Sequence, residues 1–476
     1  VLLECGNAVE ALHNGEQGFP AMHRAIENAQ REVLFEMYWI DSDKAGWSFA
    51  LRLIEAAARG VTVRVVYDAF GSIDAEPAMF EAMREAGCEV LEYNPIPPWR
   101  HKFRPDRIYR RDHRKMLVVD RHVAFNGGMN ICDHWLPREE GGDNWRDVIV
   151  RVEGPAARAY AGIFERLVGP LRDGDDDRGP VVQPTSDLPW FGKTLFNWRK
   201  VRDTVVASVD KGTDSFNMTL LQRLSVLPAD TLLLRPFRLP QGQGPQAPKP
   251  STSPSDAWWS AQGRLRLHLG RSKRSSAARL LFEQLENRWQ KVGSNVQVIT
   301  NDAFIERNTI RRGYLRAINA AQSQVTIINS YFVPCQSIRR ALYRAADRGV
   351  RVRVIVPGDK TDLRSVRFAT HAIYDRMLRH GIELYEWLPT VLHSKVCVID
   401  KQVSTVGTYN MDFRSWYYNL ELVTIVHDAS FAADLERRID QDIALHCERI
   451  DPLVWEARPF LNRLSERFFY LFRHHM

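Results

Sequence analysis

Apolar residues along this chain recur first at helical and then at strand spacing, and the whole order is written twice. Ala21, Ala25, Ile26 and Ala29 mark one helical stripe, and Val33-Leu34-Phe35 then opens a strand. A second helix is predicted over residues 47–59 and ended by Gly60, after which Val61–Val66 alternates as a strand does. A third helix over 77–86 and Gly87 lead to a strand over 88–93. Helix and strand in turn predict an α/β fold, a sheet covered on its faces.

The order returns later in the chain. Arg24-Ala25-Ile26 and Ala29-Gln30 match Arg316-Ala317-Ile318 and Ala321-Gln322. Arg59-Gly60-Val61 matches Arg348-Gly349-Val350, and Val63-Arg64-Val65 matches Val352-Arg353-Val354. The repeat is therefore a whole domain. It predicts a first half over 1–170, a connector over 171–290 and a second half over 291–476, able to pack about a pseudo-twofold axis. Within the connector, Asp173–Pro180 is a charged breaker and Leu239–Asp256 reads as a disordered linker. Residues 188–206 fit a membrane-lying segment and a packed insert helix equally, and 275–291 has an amphipathic helical pattern. In the tail, Phe460, Leu461, Leu464, Phe468, Leu471 and Phe472 share a helical face, with Arg463, Arg467 and Arg473 off it. An interfacial helix and a helix packed on the domain both satisfy that stripe.

Each half carries one copy of a polar pattern set among apolar strands: His-x-Lys, four residues, Asp, six residues, Gly, two residues, Asn. The copies are His113, Lys115, Asp120, Gly127, Asn130 and His393, Lys395, Asp400, Gly407, Asn410. Lysine is scarce, 12 against 53 arginines, yet each copy has one. Alternate side chains of a strand share a face, so each His projects with its Lys. Met116–Val119 and Val396–Ile399 read as buried strands, and Asp120 and Asp400 open turns that predict a mainly structural role for them. Gly127, Gly128 and Gly407 are expected to let the backbone pass close to a ligand, and Asn130 and Asn410 to return an amide to it. A nucleophile or acid, a fixed cation and a neutral donor together suit a phosphate diester.

A net charge of +7 favours anionic partners: lipid headgroups, membrane surfaces or nucleic acid. Six scattered cysteines without Cys-x-x-Cys exclude a disulfide or zinc framework, and no His/Asp/Glu cluster has metal-ligand spacing. No window of 18 or more consecutive apolar residues predicts a membrane span, and there is no signal-peptide pattern.

The duplicated His-x-Lys-x4-Asp resembles the signature of the phospholipase D superfamily. Trp145–Val148 with Val152–Pro155, Tyr331–Pro334 and Arg414-Ser415 resemble bacterial cardiolipin synthases within it. The resemblance covers residues 8–170 and about 293–450. It implies two similar α/β halves with one active site at their seam and a double displacement at phosphorus. His113 would be the nucleophile, by family habit, and His393 the acid and base, with Lys115, Lys395, Asn130 and Asn410 on the non-bridging oxygens. No cofactor or metal is then expected. The family also supplies a carboxylate to orient each imidazole some 25 to 35 residues downstream. Asp147, 34 residues after His113, and Glu421, 28 after His393, answer to that. The expected partners are a phospholipid, phosphatidylglycerol, and a membrane surface, with a peripheral place on the bacterial cytoplasmic membrane. Many of these synthases carry N-terminal membrane helices, so a start at Val1 fits either a peripheral member or a chain cut after such helices.

Four functions compete on these residues. The resemblance implies a phosphatidyltransferase that makes cardiolipin. A phospholipase D that passes the group to water uses the same motifs. A nuclease-like phosphodiesterase suits the charge but lacks the interleaved basic and aromatic motifs of a base-stacking surface, so no nucleic acid is expected. Two intact motifs argue against a lipid-binding relic.

Overall fold

A computed structural model describes residues 3–96, 109–173, 293–301 and 308–474, all within one compact unit. The segments 174–180, 188–206, 239–256 and 275–291 lie outside the described residues. The first half contributes β1 (Leu3–His13), β2 (Glu32–Met37), β3 (Thr62–Asp68), β4 (Glu89–Tyr93), β5 (Met116–Val119), β6 (Val123–Gly127) and β7 (Val148–Glu153). The second contributes β8 (Ser294–Asn301), β9 (Gln324–Asn329), β10 (Arg351–Pro357), β11 (Glu383–Trp387), β12 (Lys395–Ile399), β13 (Val403–Gly407), β14 (Glu421–His427) and β15 (Cys447–Arg449).

The strand order is β15-β11-β10-β9-β12-β13-β14-β8-β1-β7-β6-β5-β2-β3-β4. Counted outward from the β8–β1 junction, the two halves repeat each other strand for strand until β15 caps one edge. In each half the outer three strands run parallel, β2-β3-β4 and β9-β10-β11, and the rest are antiparallel. Parallel neighbours need crossovers, which the helices supply. At the junction the register shifts between Glu4 and Asn7, where Gly6 takes φ +78°.

Strand alternation divides the apolar residues among three cores. Leu117 and Val119 face the core under the helices Asn14–Glu27, Lys44–Ala58 and Pro77–Glu85. Cys397 and Ile399 face the matching core of the second half. Met116, Val118, Val396 and Val398 share a central core with Tyr160 and Phe164 of Ala157–Asp173 and with Phe431 and Leu435 of Ala429–His446. The halves also touch through polar groups: Asn126 Nδ2 donates to Thr424 Oγ1 at 2.8 Å and Val406 O at 3.3 Å.

Two details depart from the pattern reading. The first helix begins at Asn14, before its predicted stripe, although Gly15, Gly18 and Pro20 read as helix breakers. Packing overrides propensity here: a Cβ on Gly15 would lie 2.2 Å from Trp135 O, and one on Gly18 2.4 Å from Met129 Cε. The tail helix Phe460–Leu471 packs on Arg364–Arg379 with buried Glu466, yet leaves Leu464, Phe468 and Leu471 exposed. Among the described residues no helix is long and apolar enough to cross a membrane.

Candidate active site at the seam

Each His-x-Lys motif leads into a short hairpin, β5–β6 or β12–β13, closed at its far end by a turn with two left-handed residues. Asp120 and Arg121 have φ +51° and +54°, and Asp400 and Lys401 +51° and +52°. Paired positive φ is the primed hairpin turn, which Asp tolerates better than branched residues do. The Asp120 carboxylate accepts from the backbone N–H of Gln30, Arg31 and Glu32 at 2.9, 2.7 and 2.9 Å. Asp400 accepts likewise from Gln322, Ser323 and Gln324. Burial raises each carboxyl, but these donors outweigh it and hold both below the ordinary range. Both aspartates tie the far end of the hairpin to the loop before β2 or β9, away from the histidines.

At the near end the chain crosses the seam. His113 N donates to Leu420 O at 3.0 Å, and Leu420 N to Arg111 O at 2.9 Å. In the mirrored place, His393 N donates to Arg146 O at 2.8 Å, and Arg146 N to Val391 O at 2.8 Å. Each motif is thus laced to the residue just before the other half's carboxylate. The result corrects the pairing expected within each half. His113 Nδ1 lies 3.1 Å from Glu421 Oε1 and Oε2, and His393 Nδ1 lies 3.0 Å from Asp147 Oδ2. Distance along the chain does not report which partner the seam presents. A carboxylate accepts, so a neutral imidazole bonded to one through Nδ1 carries its proton there and keeps the Nε2 lone pair for chemistry.

His113, Lys115, His393, Lys395, Asn130 and Asn410 are all buried. Burial, then Lys115 and Lys395, hold the His113 imidazole well below its ordinary value. Burial and Lys395 lower His393, with Asp147 opposing. Burial lowers Lys115 to about 7 and Lys395 to about 8, and raises Glu421 to about 7 against the pull of Lys115. Each lysine donates to the carbonyl of its own motif's histidine, Lys115 Nζ to His113 O at 2.8 Å and Lys395 Nζ to His393 O, but Lys395 Nζ also lies 3.0 Å from His393 Nδ1 and 3.1 Å from Nε2 and donates to Ser330 Oγ at 3.0 Å. Asn130 and Asn410 make no side-chain hydrogen bond among the described residues, and their buried Oδ1 atoms are unpartnered. Two crowded lysines and two amides whose Nδ2 groups donate to no protein acceptor among the described residues make a site suited to an anion.

The model of the family described as cardiolipin synthase, PLD-like domain, matches residues 22–168 and 314–443, more than half of the chain. The chain belongs to that family. Cardiolipin synthase B of Shigella flexneri is 26% identical over 457 residues, 96% of this chain and 85% of the relative. Cardiolipin synthase A of Yersinia pseudotuberculosis is 26% identical over 469 residues, 98% of this chain and 75% of the relative. The crystal structure of phosphatidylserine synthase from Haemophilus influenzae shares the fold, with TM-score 0.58 at 14% identity, over 98% of this chain and 92% of that one.

In this PLD-like pair of domains the glycines have a different neighbour from the ligand expected. A Cβ on Gly127 would lie 2.4 Å from Val148 O, and one on Gly407 2.3 Å from Leu422 O. Their bareness lets β6 and β13 press against β7 and β14. Gly128 makes room for the carboxylate itself, with Asp147 Oδ1 2.4 Å from the added Cβ. Thr408 takes the corresponding place in the second copy, and its hydroxyl donates to Glu421 Oε2. Asn419 Nδ2 donates to Glu421 Oε1 at 3.3 Å, and Trp135 Nε1 to Asp147 Oδ2 at 3.1 Å. Sequence reasoning missed these three. The one signal for Thr408 was that the copies differ there. Arg146 was also unassigned; its buried guanidinium reaches Asp442 of the second half, with Nε at 2.9 Å from Oδ2.

Proposed function

We propose that this chain is a cardiolipin synthase that transfers a phosphatidyl group from one phosphatidylglycerol to another and releases glycerol. The observation that carries the reading is the exchanged pair of carboxylates, which makes one buried site from two His-x-Lys motifs. His113 Nε2 attacks the donor phosphorus, because Lys395 Nζ lies 3.1 Å from His393 Nε2 while Lys115 Nζ is hydrogen-bonded to the His113 carbonyl and not to its ring. The bond from phosphorus to the headgroup glycerol breaks, and His393 gives its proton to the departing oxygen. His393 then takes the proton of the acceptor's terminal hydroxyl, whose oxygen attacks phosphorus and displaces His113. Lys115, Lys395, Asn130 and Asn410 hold the non-bridging oxygens throughout. Burial holds both imidazoles below their ordinary values, and the charge of a bound phosphate favours the protonated His393 that the first step needs. A lipid acceptor places the protein on a membrane surface, peripherally on the bacterial cytoplasmic membrane. Mass spectrometry of products from pure phosphatidylglycerol vesicles tests this. Cardiolipin and glycerol with little phosphatidic acid are expected; phosphatidic acid dominant at every lipid density makes the protein a hydrolase.

A further inference from the structure

An exposed apolar row lies on the tail helix, ring contacts lead from its end to residues that flank the motifs, and nothing in the chemistry above uses it. Leu464, Phe468 and Leu471 lie at helical spacing on the outward face of Phe460–Leu471, and Leu471 is 69% exposed. Phe472 extends the row, its ring 5.2 Å from that of Phe468. On the helix's inward side, Phe469 and Tyr470 pack against the core of Val333, Val366 and Ala369, as does Tyr331, whose ring lies 6.4 Å from His393 and 5.9 Å from Lys395 Nζ. One face of the helix therefore shares a small core with a side chain beside the site while the other faces outward.

A chain of rings continues the surface around the mouth. His474 lies 4.7 Å from Phe413, Phe413 stacks on Tyr417 at 5.2 Å, and Tyr418 reaches Tyr109 of the first half at 6.0 Å. Arg463 and Arg467 flank the row and make no ion pair among the described residues, whereas Arg473 stacks over Tyr470 at 4.6 Å. Aromatic and leucine side chains bordered by uncompensated arginines match an anionic bilayer surface, apolar below the headgroups and negative at them.

We infer that the outward face of the tail helix, with the aromatic rim it joins, seats the site mouth on an anionic lipid bilayer. The inference rests on the lipid substrate proposed above, since continuity with the mouth has a purpose only if the substrate comes from a bilayer.

The test is co-sedimentation with phosphatidylglycerol–phosphatidylcholine vesicles, beside turnover of a soluble short-chain phosphodiester. The variant Phe468→Ser/Leu471→Ser/Phe472→Ser should bind at least about tenfold more weakly and lose vesicle turnover in proportion, with soluble turnover unchanged. Leu471→Ser alone, in case the triple variant unfolds, should weaken binding about two- to threefold. Arg467→Glu should weaken binding to the mixed vesicles and not to pure phosphatidylcholine. Undiminished binding by the folded variants overturns the inference. So does a wild-type dimer that the triple variant abolishes while vesicle binding persists, which assigns the face to a second copy of the chain. Binding needs no turnover, so a wild type that makes no cardiolipin but shows the same binding losses refutes only the proposed reaction.

Discussion

The two halves share strand order, hairpin turns and motif, yet they seat their histidines on opposite kinds of ground. Behind His113 lies a buried ionic cluster. Arg114 Nε is 2.9 Å from Asp112 Oδ1 and 2.7 Å from Glu36 Oε1, and Asp68 accepts from Asp112 N at 2.8 Å while pairing with Arg111. At the corresponding places the second half has Ser394, Leu392, Ile328, Pro357 and Val391. Five charged side chains behind one motif, against neutral residues at the matching positions of the other, leave the two imidazoles in different fields. Burial of charge costs free energy unless geometry repays it, and the second half buries its own pairs elsewhere, Arg353 with Glu436 and Asp442 with Arg146 of the first half. The unequal placing of the charges teaches that duplication supplied two frames and that divergence of the surroundings gave them separate tasks.

The comparison breaks if the motifs are independent sites. His113→Ala and His393→Ala should each lower turnover by about 10⁴-fold or more, and the double variant should be scarcely worse. Steady-state rates on phosphatidylglycerol vesicles decide it; substantial activity in either single variant means two sites.

The ionic cluster gives the next largest effect. Arg114→Leu strands Glu36 and Asp112 in the interior and should destabilise the fold by about 3–5 kcal/mol. Ser394→Ala, at the matching position, removes one hydroxyl bonded to Arg146 O at 3.2 Å and should cost about 1 kcal/mol. Urea denaturation of the pair measures the difference, and equal losses would erase the contrast between the halves.

The lysines sharpen the comparison through pH. A lysine loses its charge as pH rises through its own value, about 7 for Lys115 and about 8 for Lys395 in the free protein. The kcat/KM for a soluble diester should therefore fall on the alkaline side of this range. Lys395→Met should lower it by about 10²–10³-fold and remove one step of the alkaline decline. A flat profile to pH 9 in the wild type would show that the lysine charges are not used.

The smallest effect on catalysis belongs to the motif aspartates. Asp120→Ala or Asp400→Ala frees three backbone donors and should cost about 1–3 kcal/mol of stability, with kcat in the folded fraction within about threefold of wild type. Thermal melts beside rate measurements check this, and a folded variant without activity would place these residues in the chemistry.

Much of this was legible in the chain. The unbroken apolar runs Met116–Val119 and Val396–Ile399 report strands buried on both faces, and two equal spacings report two equal hairpins. Asp120 and Asp400 announce their turns because aspartate tolerates positive φ and its carboxylate accepts from nearby backbone N–H groups. What spacing cannot carry is contact across the seam. Asp147 and Glu421 follow their own histidines in sequence but face the other's, since the backbone bridges at Leu420 and Arg146 join opposite halves. Gly127 and Gly407 misled for a related reason: a bare Cα reports close approach without saying to what. The tail stripe was ambiguous between packing and exposure, and the helix does both, with Glu466 inward and Leu471 outward.

The exchange of carboxylates is the central claim, and leaving-group rescue tests it most directly. Nitrophenolate leaves phosphorus without a proton, so the release burst from a soluble nitrophenyl phosphodiester needs the nucleophile and not the acid. If Glu421 serves His113 and Asp147 serves His393, then His393→Ala and Asp147→Asn keep the burst while His113→Ala and Glu421→Gln lose it. A burst lost in Asp147→Asn and kept in Glu421→Gln would restore the pairing within each half and contradict the account.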